Sequence, residues 1–317
     1  MSSTMGLNIL ITGALGHIGS RLSRELSEKC PEIKLYLIDN LSTQRYFSLF
    51  NHPHTDRVQF LFGDILDSKL YEKIPSVDVV LHLAALTDAE SSFKEPKRVE
   101  EINVGGTRLI SDFCIKHSIP LIYFSTTSVY GSSLKLVTED ALEKDLNPQS
   151  PYATTKLNGE KMIQELGNSG LNYLILRMGT IFGFSPGMRF HTVVNKFCWE
   201  SSLGLPLSVW KTAYLQKRPY LYLGDAIQAV LFLLNRGIYD LETYNVLTLN
   251  TTVQNIVETI QEFLPETQIN TVDSLAMNQL SYEVSDQKFK ELGFKSAGNL
   301  RDGIKEVLDQ LKINYSL

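Results

Sequence analysis

Leu7-Asn8-Ile9-Leu10-Ile11-Thr12-Gly13-Ala14-Leu15-Gly16-His17-Ile18-Gly19 is the stretch whose reading decides the fold of this chain. A short apolar run of buried-strand length leads into three glycines spaced G-x-x-G-x-x-G. The pattern then turns helical through Arg21, Leu22, Arg24, Glu25 and Leu26. Glycines between a strand and a helix permit a tight turn, let backbone approach a pyrophosphate, and let the helix pack on the strand. The helix start offers unpaired N–H groups and the positive end of its dipole to phosphates. A glycine-rich turn with no ligand would look the same in isolation, so the flanking segments decide between the two.

Working outward, Ile33-Lys34-Leu35-Tyr36-Leu37-Ile38 reads as a second strand that ends in Asp39-Asn40. An acid at the end of the second strand, about twenty residues past the glycines, can accept hydrogen bonds from adenosine ribose hydroxyls. Its charge repels a 2′-phosphate, so Asp39 favours NAD over NADP, with Arg45 nearby as a counterweight. Val58–Phe62 reads as a third strand closing on Gly63-Asp64-Ile65, where Asp64 is placed to meet the adenine edge. Residues 77–83 form a fourth, ending in Ala84-Ala85, small residues that let a cofactor lie across the sheet edge. His82 in that strand reads as a packed structural residue rather than a catalytic one. A long helix is expected over 95–117, weakened at Gly105-Gly106. Asn103 within it is positioned to reach a strand end and hold the loop beside the nicotinamide pocket. Residues 119–124 and 171–176 complete the alternation as strands five and six. Strands and helices in alternation, with small and polar residues at the strand ends, describe a Rossmann-type doubly wound parallel sheet.

Length and composition agree with a soluble globular protein and exclude several classes. The chain has 317 residues, with 43% hydrophobic and 21% charged content, ample for one large or two modest domains. A net charge of −5 gives no electrostatic case for a nucleic-acid surface. No apolar run approaches the roughly eighteen residues of a membrane span. Met1-Ser2-Ser3-Thr4-Met5-Gly6 lacks the basic and apolar regions of a signal peptide. Cys30, Cys114 and Cys198 are too widely spaced for a metal site and read as thiols in a reducing compartment. A cytoplasmic location and no metal are therefore expected.

The chemistry centres on Tyr152-Ala153-Thr154-Thr155-Lys156. Residues four apart share one helix face, so the phenol and the ammonium can share one site. A free phenol ionises near about pH 10 and is a poor base in the cell. A cation held close lowers that value, which would let Tyr152 exchange a proton with a substrate hydroxyl near neutral pH.

Thr12-Gly13-x-x-Gly16-x-x-Gly19, Asp39-Asn40, Gly63-Asp64, His82-Leu83-Ala84-Ala85, Asn103-x-x-Gly106-Thr107, Ser125 to Gly131 and Tyr152-x-x-x-Lys156 occur in that order. Together they resemble the extended short-chain dehydrogenase/reductase family, and within it the nucleotide-sugar epimerases and dehydratases. The resemblance spans nearly the whole chain. It implies that Tyr152 is the acid/base, that Lys156 binds the nicotinamide ribose, and that Thr126 hydrogen-bonds the sugar oxygen being oxidised. Gly13, Leu15, Gly16, His17, Ile18, Gly19, Asp39, Asn40, Asp64, Ile65, Leu83, Ala84, Ala85 and Asn103 would line the NAD site with Tyr152 and Lys156. Dehydratases of the family commonly carry Asp-Glu directly after this threonine, to protonate and remove a C6 hydroxyl. Here Thr127 and Ser128 stand in those places, which argues against 4,6-dehydration.

Beyond Met178 the resemblance implies a smaller α/β cap that binds a nucleotide diphosphate sugar. The division expected is 1–178 for the dinucleotide-binding domain, with a return segment near 219–247, and 179–317 for most of the cap. Thr180 replaces the asparagine the family often shows after Arg177. Thr87, Thr126, Thr180, Arg189, Asn195 and Arg218 are the candidate substrate residues, Asn195 and Arg218 as phosphate ligands. Arg189 and Arg218 also read as ordinary surface cations. Asp225 reads as the cap of a helix over 226–234. Residues 243–247 read as a strand, 252–264 and 299–312 as helices, and Leu292-Gly293-Phe294 as a helix end.

The leading functional reading is an NAD-dependent nucleotide-sugar 4-epimerase, with the cofactor retained. The alternative with the same residues is an NAD(P)-dependent keto-sugar reductase or dehydrogenase that turns the cofactor over. A non-catalytic dinucleotide-binding regulator would be expected to lose the Tyr152/Lys156 pair, which this chain keeps. Family resemblance also implies a homodimer through the helices near 95–117 and 152–166.

Overall fold

The computed structural model of the chain describes residues 6–131, 135–273 and 281–312. The stretch Met1–Met5, read above for a leader, lies outside the described residues. Seven parallel strands form the central sheet in the order Thr243–Val246, Tyr173–Met178, Leu121–Thr126, Val79–His82, Asn8–Thr12, Lys34–Asp39, Val58–Phe62. The chain runs outward from Asn8–Thr12 on one side and then crosses to Val79–His82 on the other. The switch point thus lies beside the first strand, at the carboxyl ends where open α/β sheets bind ligands.

Helices His17–Lys29 and Leu223–Arg236 cover one face, and Gly106–His117 and Pro151–Gly167 the other. Ile9, Leu10 and Ile11 are wholly buried because the sheet is covered on both sides. That burial is why the strand reads as a continuous apolar run rather than an alternating one.

After Met178 the chain leaves this sheet. Thr180–Phe182 pairs in parallel with Lys217–Tyr222, which pairs antiparallel with Leu249–Thr252. Helices Val193–Ser202, Val253–Phe263 and Leu300–Leu311 close a separate core containing Phe182, Phe197, Ile256 and Ile304. The segment 219–247 is shared between the two bodies. Pro219–Tyr222 belongs to the small sheet, whereas the helix Leu223–Arg236 and the strand Thr243–Val246 return to the large one.

Two local expectations are corrected. The helix expected over 95–117 consists of Pro96–Glu100, a wider π-turn at Glu101–Gly105, and Gly106–His117. The irregularity therefore comes one turn before Gly105-Gly106 completes it, and it contains Asn103, whose side chain is drawn to the neighbouring strand end. Asp225 is not a cap: the helix starts at Leu223 with Tyr222 before it. The carboxylate instead accepts hydrogen bonds from the Thr248 hydroxyl at 2.6 Å and from the amides of Ala297 and Gly298 at 2.9 and 3.0 Å. It ties three segments of the cap together. No described helix is long and apolar enough to cross a membrane, and no metal-type cluster occurs among the described residues.

Candidate active site

The glycine turn has the shape a dinucleotide needs. Gly13 has φ +67°, and a Cβ added there would lie 2.7 Å from the Ala84 backbone. Only glycine permits both the left-handed conformation and that approach. The helix then begins at His17, with no side chain capping its first turn, which leaves those N–H groups to an anion. The Asp39 carboxylate accepts from Leu15 N at 3.1 Å and Leu41 N at 2.9 Å. Each oxygen keeps acceptor capacity for a ribose hydroxyl. These residues fit NAD.

Several expected cofactor residues act at one remove. Asn40 donates to Asp64 at 2.8 Å, and Asp64 accepts Leu66 N at 2.9 Å, so the pair shapes the loop after the third strand. Ile65 and Leu15 are buried apolar side chains, while Ile18 and Leu83 line the substrate cavity. The His17 ring turns away from the glycine turn to the carbonyl of Gly183 at 2.9 Å, bridging to the cap. Burial lowers its pKa to about 3, so it stays neutral.

Asn103 spends its amide on Leu86 N at 2.8 Å, Leu86 O at 3.0 Å and the Thr155 hydroxyl at 2.9 Å. It holds the loop that follows Ala84-Ala85. His82 belongs to the same scaffold. Thr107 gives its proton to Asn103 O at 2.5 Å, so it must accept from His82 Nε2 at 3.1 Å. Nδ1 then accepts from Thr12 at 2.7 Å. Burial, with the charge of Lys156, lowers the imidazole pKa to about 3. This neutral string links the first strand, the fourth strand and the π-turn.

Tyr152 sits in the first turn of Pro151–Gly167. Ser150 caps that helix by accepting from Ala153 N at 3.2 Å, and Pro151 occupies its first position. Thr126 is the last residue of the neighbouring strand, and its hydroxyl accepts from Ser128 N at 3.1 Å on the same cavity wall as Tyr152. Lys156 is 3% exposed, donates to Phe124 O at 2.8 Å, and lies 4.6 Å above the Tyr123 ring. Burial lowers its pKa to about 7, opposed by the charge of Glu160.

The expectation that Lys156 lowers the Tyr152 pKa needs correcting. Burial raises the phenol, and the cation that opposes it is Arg189, together with the Thr126 hydroxyl. Lys156 is turned toward the Phe124 carbonyl instead, where an ammonium losing its water needs an acceptor.

Sequence reasoning missed the ion pair below Lys156. Glu160, one helical turn on, is 1% exposed and bonds Arg177 through Nε at 3.0 Å and Nη2 at 2.7 Å. The Ser125 hydroxyl donates to the same carboxylate. Arg177 also reaches the Tyr130 hydroxyl at 2.8 Å, which donates to Asn245 at 2.8 Å. The signal was present as an acid four residues after Lys156 and an arginine in an otherwise apolar strand.

Tyr152, Thr126 and Lys156 open on one cavity of about 480 Å³, between the large sheet and the cap. That is the size of a small-molecule site. Thr87, Ser128, Thr180, Arg189 and Arg218 also line it. Thr127 does not point in, because its hydroxyl donates to Met178 O at 3.3 Å.

Neither arginine is a plain surface cation. Arg189 donates to the Thr87 hydroxyl, and Arg218 stacks 4.7 Å over the Tyr282 ring. Each keeps a shielded Nε without a partner. Asn195 is corrected: it is wholly buried, accepts Gly183 N at 3.1 Å and donates to Arg189 O at 3.2 Å. Its amide braces the loop 183–189, and the residue is not among those lining the cavity.

Residues 9–246 match the profile of the NAD dependent epimerase/dehydratase family. The dTDP-D-glucose 4,6-dehydratase of Bos taurus is 29% identical over 97% of this chain and 89% of its own length. A trifunctional UDP-glucose 4,6-dehydratase/UDP-4-keto-6-deoxy-D-glucose 3,5-epimerase/UDP-4-keto-L-rhamnose-reductase of Arabidopsis thaliana is 28% identical over 98% of this chain. The chain spans only 47% of that relative's length. Among solved structures, the UDP-glucuronic acid 4-epimerase of Bacillus cereus, in complex with UDP-glucuronic acid and NAD, is 26% identical. It aligns over 96% of this chain and 99% of its own, with a TM-score of 0.84.

Proposed function

This chain belongs to the NAD-dependent epimerase/dehydratase family, and from that premise we propose that it is a nucleotide-sugar 4-epimerase. One observation carries the reading. Tyr152, Thr126 and Lys156 share a cavity in which position 128 presents a hydroxyl and position 127 turns away, so no carboxylic acid follows Thr126. Among the relatives, a solved structure of similar extent is a 4-epimerase by name.

With NAD bound, the positive nicotinamide ring would add to the charge of Arg189 in favouring the phenolate over the effect of burial. Tyr152 then removes the proton of the sugar C4 hydroxyl while the Thr126 hydroxyl orients that oxygen. The glycine turn, Asp39 and Lys156 would hold NAD, which would supply a reversible hydride acceptor for the C4 hydrogen. The keto-sugar turns over in the cavity, and Tyr152 gives its proton back to the inverted oxygen. Arg218 holds the diphosphate as the pivot, since guanidinium binds phosphate oxygens in pairs.

The curated relatives named above include dehydratases, but elimination of a C6 hydroxyl needs a protonated acid. Asp88 lines the cavity, yet hydrogen bonds from Ser91 and Glu90 and the charge of His191 outweigh burial and hold its carboxyl below the usual range. It is ionised near neutral pH and has no proton to give.

NMR of the NAD-loaded protein with UDP-, dTDP-, GDP- and CDP-sugars tests the proposal. The expected result is a new C4 epimer with no net NADH. A 4-keto-6-deoxy product would make the protein a dehydratase. Net NADH or NADPH oxidation on keto-sugars would make it a reductase. We further propose a homodimer through Gly106–His117 and Pro151–Gly167, which lie side by side on one outer face. A monomer by sedimentation equilibrium would overturn that.

A further inference from the structure

Two arginines line the cavity together with Lys156 and Lys196, and the arginines have different partners. Arg218 lies on the small sheet beside Tyr282, and Tyr282 donates to Thr127 O at 3.0 Å. The charge of Arg189, by contrast, acts on Tyr152. One guanidinium therefore serves the diphosphate, and the second lies where the sugar is oxidised.

The surroundings of Arg189 do not neutralise it. Its Nη1 donates to an uncharged hydroxyl, Thr87, and its shielded Nε has no partner. The acid nearest in charge, Asp88, is spent on the amides of Glu90 and Ser91 at 3.0 and 3.1 Å. Arg45 adds like charge, and burial lowers the Arg189 pKa to about 10. A desolvated guanidinium with a free Nε is costly unless an anion meets it. Ser128 and Thr180 line the same cavity as Arg189.

Resting on the 4-epimerase reading above, we propose that Arg189 receives a carboxylate carried by the sugar, so that the substrate is a nucleotide-linked hexuronate rather than a neutral hexose. A carboxylate at C5 would meet the planar fork of Arg189 bidentately while C4 faces Tyr152. The hydroxyls of Ser128 and Thr180 would then take its remaining lone pairs. An acid at position 127 or 128 would repel that substrate. The absence of dehydratase acids and the presence of the free cation thus have one explanation. The competing source of an anion is the cofactor pyrophosphate, because Gly187, two residues before Arg189, packs on the glycine turn, where an added Cβ would lie 2.3 Å from Leu15 O.

Titration calorimetry on the NAD-loaded protein separates the sources, with UDP-glucuronate against UDP-glucose and the same pair in the dTDP series. The wild type should bind the uronate at least tenfold more tightly than the hexose in one series. Arg189→Met should bring that ratio to within about twofold of unity while leaving the affinity for NAD unchanged. A uronate no tighter than its hexose in both series overturns the proposal. So does an Arg189→Met protein that loses NAD affinity with the uronate preference intact, since the anion is then the cofactor phosphate. Preference for the uronate without epimerised product in NMR would leave this inference standing and remove the 4-epimerase reading instead.

Discussion

The two halves of the molecule differ in how they treat buried polar atoms. In the dinucleotide half nearly every one is spent within the protein. Thr12, His82, Thr107 and Asn103 form one closed string, and Glu160, Arg177, Tyr130 and Asn245 form another. Among the described residues, shielded side-chain atoms without a partner fall in the first 178 residues only at His17 Nδ1 and Arg24 Nε. The other eight lie between Ser185 and Thr267, with Arg189, Gln216 and Arg218 at the cavity. A half that builds a fixed catalytic frame satisfies itself, because unpaired polar groups in low dielectric would loosen it. The cap leaves more of them unpaired, among them the Nε donors of Arg189 and Arg218 at the cavity.

The largest effect that would break this contrast is expected at Tyr152, the proposed acid/base. Tyr152→Phe should lower kcat by about 10²–10⁴-fold, the usual worth of a general acid–base, with NAD affinity nearly unchanged by fluorescence titration. Retained turnover would remove Tyr152 from the chemistry. Next comes the closed network. Glu160→Ala strands Arg177 in the core and should cost about 3–5 kcal/mol in urea unfolding. A change of a few tenths would mean that the pair adds nothing to the frame.

Removing the Asp39 carboxylate tests the cofactor edge. Asp39→Ala gives up charge-assisted hydrogen bonds of about 1.5–3 kcal/mol each. It should weaken NAD at least tenfold and relax discrimination against NADP; an unaltered preference would refute the role. The smallest effect is expected in the open half. Arg218→Met should raise the KM for nucleotide sugar by about tenfold, with unfolding midpoint and NAD affinity unmoved, because its Nε has no protein partner to lose. A drop in stability instead would class Arg218 with the scaffold.

The legible parts of the site were those in which one short segment does the whole job. The G-x-x-G-x-x-G turn, Asp39 and the Tyr152/Lys156 spacing each place a function within about a helical turn. Residues that act across the fold were misread. Asp225 stands near the start of its helix in sequence, yet its acceptors face Thr248 and the 297–298 backbone. Asn195 was taken for a phosphate ligand, but backbone twelve and six residues earlier claims its amide. The sequence marked Glu160 and Arg177 separately, but no local pattern joined them, because the pair is made where a helix crosses a strand.

By itself, then, the sequence determined the parallel sheet, its switch point and the cofactor turn. Periodicity and glycine geometry are local properties, and a few residues enforce them. The tertiary structure alone decided which polar groups are used up and which stay free. Whether Arg189 is a surface charge or a cation in a cavity depends on the loop 183–189 folding over the glycine turn. Whether Lys156 or Arg189 governs Tyr152 depends on where a long side chain finds an acceptor after burial. Those outcomes are set by desolvation and by partners far apart in the chain, and no spacing within one segment encodes them.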